Sequence, residues 1–177
     1  EMIARFADDG GGFYDTAVDG VPLLIRPQDM QDNATPSGNA LAAEALLRLA
    51  AFTGREDFRT RAESTIKIAL PMAVRYPTAF ARWLGAAGLA LNEVNQVAII
   101  GDLSDPATQA LLAAARETYH PDIVLAASGL PLPPGAPHLL QDRPMQDGRA
   151  TAYVCQGFIC RSPVGTADEL RELLQRK

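Results

Sequence analysis

The sequence is short of several things that would each point to a function. It has two cysteines and two histidines among 177 residues. Two cysteines are too few to staple a disulfide-rich fold. A zinc site built on them would need further ligands, and His120 and His138 stand at no recognised spacing. Basic residues are also scarce: 16 Lys and Arg against 21 Asp and Glu leave a net charge of −5. That argues against a nucleic-acid groove, which requires a basic face. No apolar run approaches the roughly 20 residues of a membrane span. There is no G-x-G-x-x-G, so a dinucleotide site is not implied, and no cofactor is expected. The opening EMIARFADDGGG carries acids where a signal peptide carries bases. A reducing cytoplasm is then the default compartment. The same opening lacks an initiator methionine, and Met2, Ile3 and Phe6 read as the end of a helix. The expectation is a fragment of a longer protein.

What is present is ordinary for a globular chain, with 47% apolar and 21% charged residues. The first half reads as helices. After GGGFYDTAVDG, the stretch GVPLLIRP is a short strand or an extended loop edge closed at Pro27. A helix starts near Pro36–Ser37, with Ser37 or Asn39 as N-cap. Its run LAAEALLRLAAF predicts burial on most sides, with Glu44 and Arg48 as an i,i+4 pair on the one polar stripe. A second helix, about 56–75, repeats Phe58, Ala62, Thr65–Ile66, Ala69–Leu70 and Ala73 at helical spacing. Pro71 should kink or interrupt it. A third, about 78–92, carries Phe80, Trp83–Leu84, Ala87 and Leu91, and its Gly85 and Gly88 would let a neighbour approach closely.

From about residue 95 the texture changes. QVAIIGD and DIVLAAS are short buried strands flanking the helix ATQALLAAARETYH, which opens on Asp105 as N-cap with Pro106 at its first position. Strand, helix and strand make one βαβ unit with parallel strands. A Pro-rich loop, a strand at GRATAYVC and a helix capped at Thr166 complete the chain. The fold class is mixed α and β: helical hairpins over 1–94, then a small α/β domain over 95–177.

The segment 26–39 holds the densest polar cluster. Asp15, Arg26, Asp29, Gln31, Asp32, Asn33 and Asn39 are candidate ligand-facing residues, with Asp29 and Asp32 as candidate general acid and base. Arginine and amides suit sugar hydroxyls or a carboxylate. The plainer reading is that Asp, Asn and Ser here make turns and caps. For Glu44 the Arg48 pair is the favoured reading. Asp102 and Asp105 read as caps, since acids repel a phosphate. Trp83 reads as core, although an aromatic such as Trp83 or Tyr76 can stack on a sugar. Cys155 and Cys160 are spaced C-x4-C, which does not match a thioredoxin-type CxxC. On a continuous strand they would face opposite sides, and a turn at Gly157 would instead pair them in a hairpin. Buried, inert thiols are the favoured reading.

The phrases GGGFYDT, IRPQDMQDNATPSGNALAAEALLRLA, RYPTAFARWL, VAIIGD and DGRATAYVCQGFIC, in this order, resemble the C-terminal part of the spermatogenesis-associated protein 20 family. The RP-x-D-x-QDNA-x-PSGN string is the most specific of them. The resemblance implies a longer protein with an N-terminal thioredoxin-like domain and a six-hairpin (α/α) toroid like those of sugar epimerases and many glycosidases. This chain would supply its last hairpins and the α/β tail. On that reading the polar loop lies at the mouth of the toroid. Two functions follow as expectations. One is binding of, or catalysis on, a carbohydrate-like molecule in the longer protein, epimerase- or glycosidase-like, with the fragment itself inactive. The other is a non-catalytic module that braces the thioredoxin-like domain. Cys155 and Cys160 become candidates for a redox relay to that domain. The partners implied are that domain, the remaining hairpins and a sugar-like molecule, with no nucleic acid and no membrane. Helix faces left uncovered predict a homo-oligomer for the fragment.

Overall fold

The computed structural model describes residues 1–92, 94–157 and 159–175. The chain divides into two compact units, 1–50 with 55–92, and 51–54 with 93–177.

In the first unit, α1 (Met2–Phe6) leads into a long loop. Residues 21–27 form no strand there, so of the two readings the extended loop edge is the one observed. The loop ends at α2 (Gly38–Thr53), whose last residues already belong to the second unit. Next come α3 (Glu56–Arg75), a single 3-10 turn at Pro77–Ala79 and α4 (Ala81–Asn92). Helix α3 packs against α4. The apolar stripe of α3 is buried at Ala62, Ile66, Ala69 and Ala73, as its spacing requires. Thr65 is buried with them and donates its hydroxyl to Gly11 O at 2.6 Å.

Two expectations fail in this unit, and a third, that Pro71 would kink or interrupt its helix, meets a helix that runs on through the proline. Helix α2 is not buried on most sides: Ala40, Ala43, Leu46 and Leu47 are inside, while Leu41 and Leu49 are exposed. Alanine and leucine favour a helix whether or not every face is covered, so composition overstated its burial. Pro71 does not interrupt α3. It lies on an exposed side of the helix with Lys67, the residue whose carbonyl it leaves unpaired, so water can satisfy that group. Gly85 and Gly88 do not mark a close helix contact, because a Cβ at either would meet nothing within 4 Å.

The second unit is built on a four-stranded sheet of order β2-β1-β3-β4. Strands β1 (Asn95–Ile100) and β2 (Ile123–Ser128) are parallel, joined through α5 (Pro106–Glu117). β3 (Thr151–Gln156) pairs antiparallel with β1, and the two-residue β4 (Ile159–Cys160) lies on the edge, antiparallel to β3. Helix α6 (Ala167–Gln175) ends the described chain. One face of the sheet, with Val97, Ile99, Ala152 and Val154, forms a core with Leu111 of α5 and Leu170 of α6. Gly101 ends β1 where space is tightest. A Cβ there would collide with the Thr108 hydroxyl and lie 2.9 Å from the Ala150 methyl.

The caps carry the helix starts. Asp105 Oδ1 accepts from Ala107 N at 3.0 Å, with Pro106 at the first position. Asp102 accepts from the Ser104 amide and hydroxyl at 2.9 and 2.7 Å, closing a turn. Thr166 and Glu169 make a reciprocal capping box for α6.

Candidate functional site

Two places gather reactive side chains, one in each unit. The first is the polar loop of residues 8–39. Arg26 donates to the carbonyls of Thr16 and Arg5, and its guanidinium lies 3.9 Å from the Tyr14 ring centroid. Among the described residues its buried Nε has no partner. Asp15 Oδ2 accepts from Asp29 N at 2.9 Å. Asp29 uses both carboxylate oxygens locally, Oδ1 on Gln31 N at 3.1 Å and Oδ2 on Asn33 Nδ2 at 3.2 Å. Its carbonyl accepts from the Ser37 hydroxyl at 2.9 Å.

Asp32 is the most connected. Its Oδ1 accepts from Ser37 N at 2.9 Å, just ahead of α2, and its Oδ2 accepts from Arg82 N at 2.8 Å, in the first turn of α4. Its own amide donates to Ala79 O at 2.8 Å. One carboxylate thus joins the starts of two helices, where the orphan amides favour an anion. Gln31 and Asn33 are exposed.

Asn39 is buried in the first turn of α2 and is not a cap. Its Oδ1 accepts from Phe13 N at 2.6 Å and its Nδ2 donates to Phe13 O at 2.8 Å. It pairs with one residue's backbone as a strand would. Ser37 fills the cap position, its hydroxyl 3.4 Å from Ala40 N.

A cavity of about 300 Å³ adjoins this loop, with Met2, Phe6, Phe13, Tyr14 and Ala42 in its wall. Of the seven polar residues expected to converge on a pocket, only Asp15 and Asn39 line it; Arg26, Asp29, Gln31, Asp32 and Asn33 do not. Beside it sits a pair that sequence alone did not single out. Tyr14 donates its hydroxyl to Asp8 Oδ1 at 3.1 Å. A hydrogen bond from the Gln28 side chain, aided by Tyr14, holds the Asp8 carboxyl below its usual range. Asp8 in turn pushes the Tyr14 hydroxyl up.

Glu44 takes the expected Arg48 partner at 2.9 Å and also pairs with Arg82. Trp83 is core, 1% exposed, with its indole N–H donated to Met30 O at 2.7 Å. Tyr76 is exposed beside Arg75.

The second place is the β3–β4 hairpin. The chain turns at Gly157, whose φ of +56° is one glycine adopts readily. The turn sets Cys155 opposite Cys160, and the two are joined as a disulfide. The reading of two buried, inert thiols is therefore corrected: Cys155 is buried, but Cys160 is exposed and both are bonded. The turn made the difference, since a continuous strand would have put the sulfurs on opposite faces.

Tyr153 and Cys155 share the face of β3 opposite Ala152 and Val154. Arg143 lies over both. Its Nη1 and Nη2 are each 3.4 Å from Cys155 Sγ, and its guanidinium carbon is 5.1 Å from the Tyr153 ring centroid. Nε donates to Leu139 O at 2.7 Å. Burial pushes this guanidinium below its ordinary value. Among the described residues no carboxylate lies within salt-bridge distance of it. Nothing in the Pro-rich sequence around Arg143 marks it out.

Among the described residues no three His, Cys, Asp or Glu gather to hold a metal, and no helix is long and apolar enough to cross a membrane.

No family model matches the chain, and no solved structure does. Human spermatogenesis-associated protein 20 is 33% identical over 170 residues, 93% of this chain and 22% of its own length. The mouse protein of the same name is 31% identical over 172 residues, 94% of this chain and 22% of its own length. An uncharacterized protein of Caenorhabditis elegans, B0495.5, is 27% identical over 181 residues, 95% of this chain and 23% of its own length. The chain therefore spans just over a fifth of the length of the curated relatives it matches. With 31 to 33% identity along nearly its whole extent, it belongs to the spermatogenesis-associated protein 20 family, to whose C-terminal part it corresponds.

Proposed function

We propose that the chain is a non-catalytic structural and interaction module of a longer protein, and that its polar loop is a tie between helices. One observation carries this reading: all four carboxylate oxygens of Asp29 and Asp32 accept hydrogen bonds from the chain's own backbone or from Asn33. A carboxylate oxygen can accept a second hydrogen bond, but these four are spent first on turns and helix starts, the ordinary structural use of Asp at such positions.

The occupants of the module's surface are other segments of the longer protein, a thioredoxin-like domain and further helical hairpins. Ile68 and Met72, and Leu70 and Val74, form exposed i,i+4 apolar pairs on α3, and Val21, Leu24 and Ile25 are exposed in the loop. On this reading the three long helices are part of an (α/α) toroid, and the isolated chain associates with itself through the same faces.

The carbohydrate reading has one support, the cavity beside Asp15 and Asn39 with its aromatic wall. Thermal unfolding of the full-length protein with sugars and sugar acids separates the two. The module reading expects Asp32→Ala to lower the midpoint and no sugar to raise it in either form. A sugar that stabilises the natural protein and not Asp15→Ala, at the cavity wall, would overturn it.

A further inference from the structure

We propose that the Cys155–Cys160 bridge is a thiol–disulfide exchange centre that accepts two electrons from an external dithiol, with Arg143 holding the departing Cys155 sulfur. The two cysteines are unequally placed. Cys160 lies exposed on the two-residue edge strand, next to Ile159, itself 76% exposed. Cys155 is 2% exposed and has a guanidinium against it. A neutral disulfide gains little from a cation beside one of its atoms. A thiolate in that place gains a charge-assisted contact, and stabilising the leaving thiolate speeds exchange.

Arg143 is fixed for this by the Leu139 carbonyl and the Tyr153 ring, and no carboxylate among the described residues neutralises it. The Tyr153 hydroxyl, the other titratable group on this face, is turned to Pro144 O at 2.5 Å.

The sequence of steps balances. A thiolate of the dithiol attacks Cys160 Sγ, the S–S pair of electrons departs with Cys155, and a mixed disulfide remains on Cys160. The second thiol of the dithiol loses its proton to solvent and attacks its neighbour's sulfur, releasing Cys160 as thiolate. The two cysteine thiolates take up two protons. The chain has gained two electrons, and the dithiol has become a disulfide.

The test is reduction of the folded 177-residue chain by dithiothreitol, followed by rapid alkylation and mass spectrometry. The bridge should open with the circular dichroism spectrum unchanged and re-form with oxidised glutathione. Arg143→Gln should slow opening about tenfold, and Arg143→Lys should restore most of the rate. A bridge that resists dithiothreitol until the chain unfolds overturns the proposal, as does a natural rate in Arg143→Gln. If Arg143→Gln does not fold, the position of attack decides. Reduced glutathione trapped on the natural chain must be found on Cys160, and an adduct on Cys155 contradicts the proposal.

Discussion

The polar loop and the β3–β4 hairpin are both rich in reactive side chains, yet they use them in opposite ways. In the loop, acids and amides are consumed by the backbone: Asp32 by Ser37 and Arg82, Asn39 by Phe13. In the hairpin, Cys160 is left exposed, and the cation beside Cys155 has no carboxylate partner among the described residues. A dense string of polar residues is thus weak evidence for a site, because turns and helix starts demand the same residue types. The stronger indication is a charged group whose partner is neutral, as at Arg143.

The contrast can be broken by measuring stability. The largest effect is expected at Asn39. Asn39→Ala strips both backbone partners from buried Phe13 and should cost about 3 kcal/mol in chemical denaturation. A cost near zero would mean the loop is not held by this amide. Replacing both cysteines with serine should cost less, about 2 kcal/mol, since the bridge closes a short loop. A larger loss there than at Asn39 would make the bridge a structural staple and weaken the contrast. Gly85→Ala lies outside both places and should stabilise by about 1 kcal/mol, because its Cβ meets nothing and alanine favours the helix. Destabilisation would show that this face is covered in solution.

The smallest effect concerns pH. The Gln28 side chain holds the Asp8 carboxyl down at the loop, and the Thr166 side chain does the same for Glu169 at the start of α6. A depressed carboxyl adds stability above its unfolded pKa that is lost as pH falls through the folded value. The chain should therefore lose stability below about pH 4, and Asp8→Asn should reduce that acid sensitivity. An unchanged acid limb in Asp8→Asn would count against the Gln28 bond.

Much of this was visible in the residues. Strand, helix and strand texture gave the parallel β1–α5–β2 unit, and Asp105–Pro106, Thr166 and Glu44–Arg48 kept their expected local roles. These are contacts within a turn or two, which spacing encodes directly. The failures are long-range. Asn39 reads in the sequence as a cap or a ligand-facing amide, and only the fold shows it reaching 26 residues back to Phe13. The pairing of the cysteines hung on whether the chain turns at Gly157, which the sequence left open. Arg143 finds Cys155 from a loop without periodicity, so no pattern announces the contact.

The central claim, that the acids of the loop tie helix starts together, is tested most directly by hydrogen exchange at the amides of Ser37 and Arg82. Both should exchange slowly in the natural chain and lose protection together in Asp32→Ala. Fast exchange of both in the natural chain would leave the Asp32 carboxylate free for other chemistry and contradict the account.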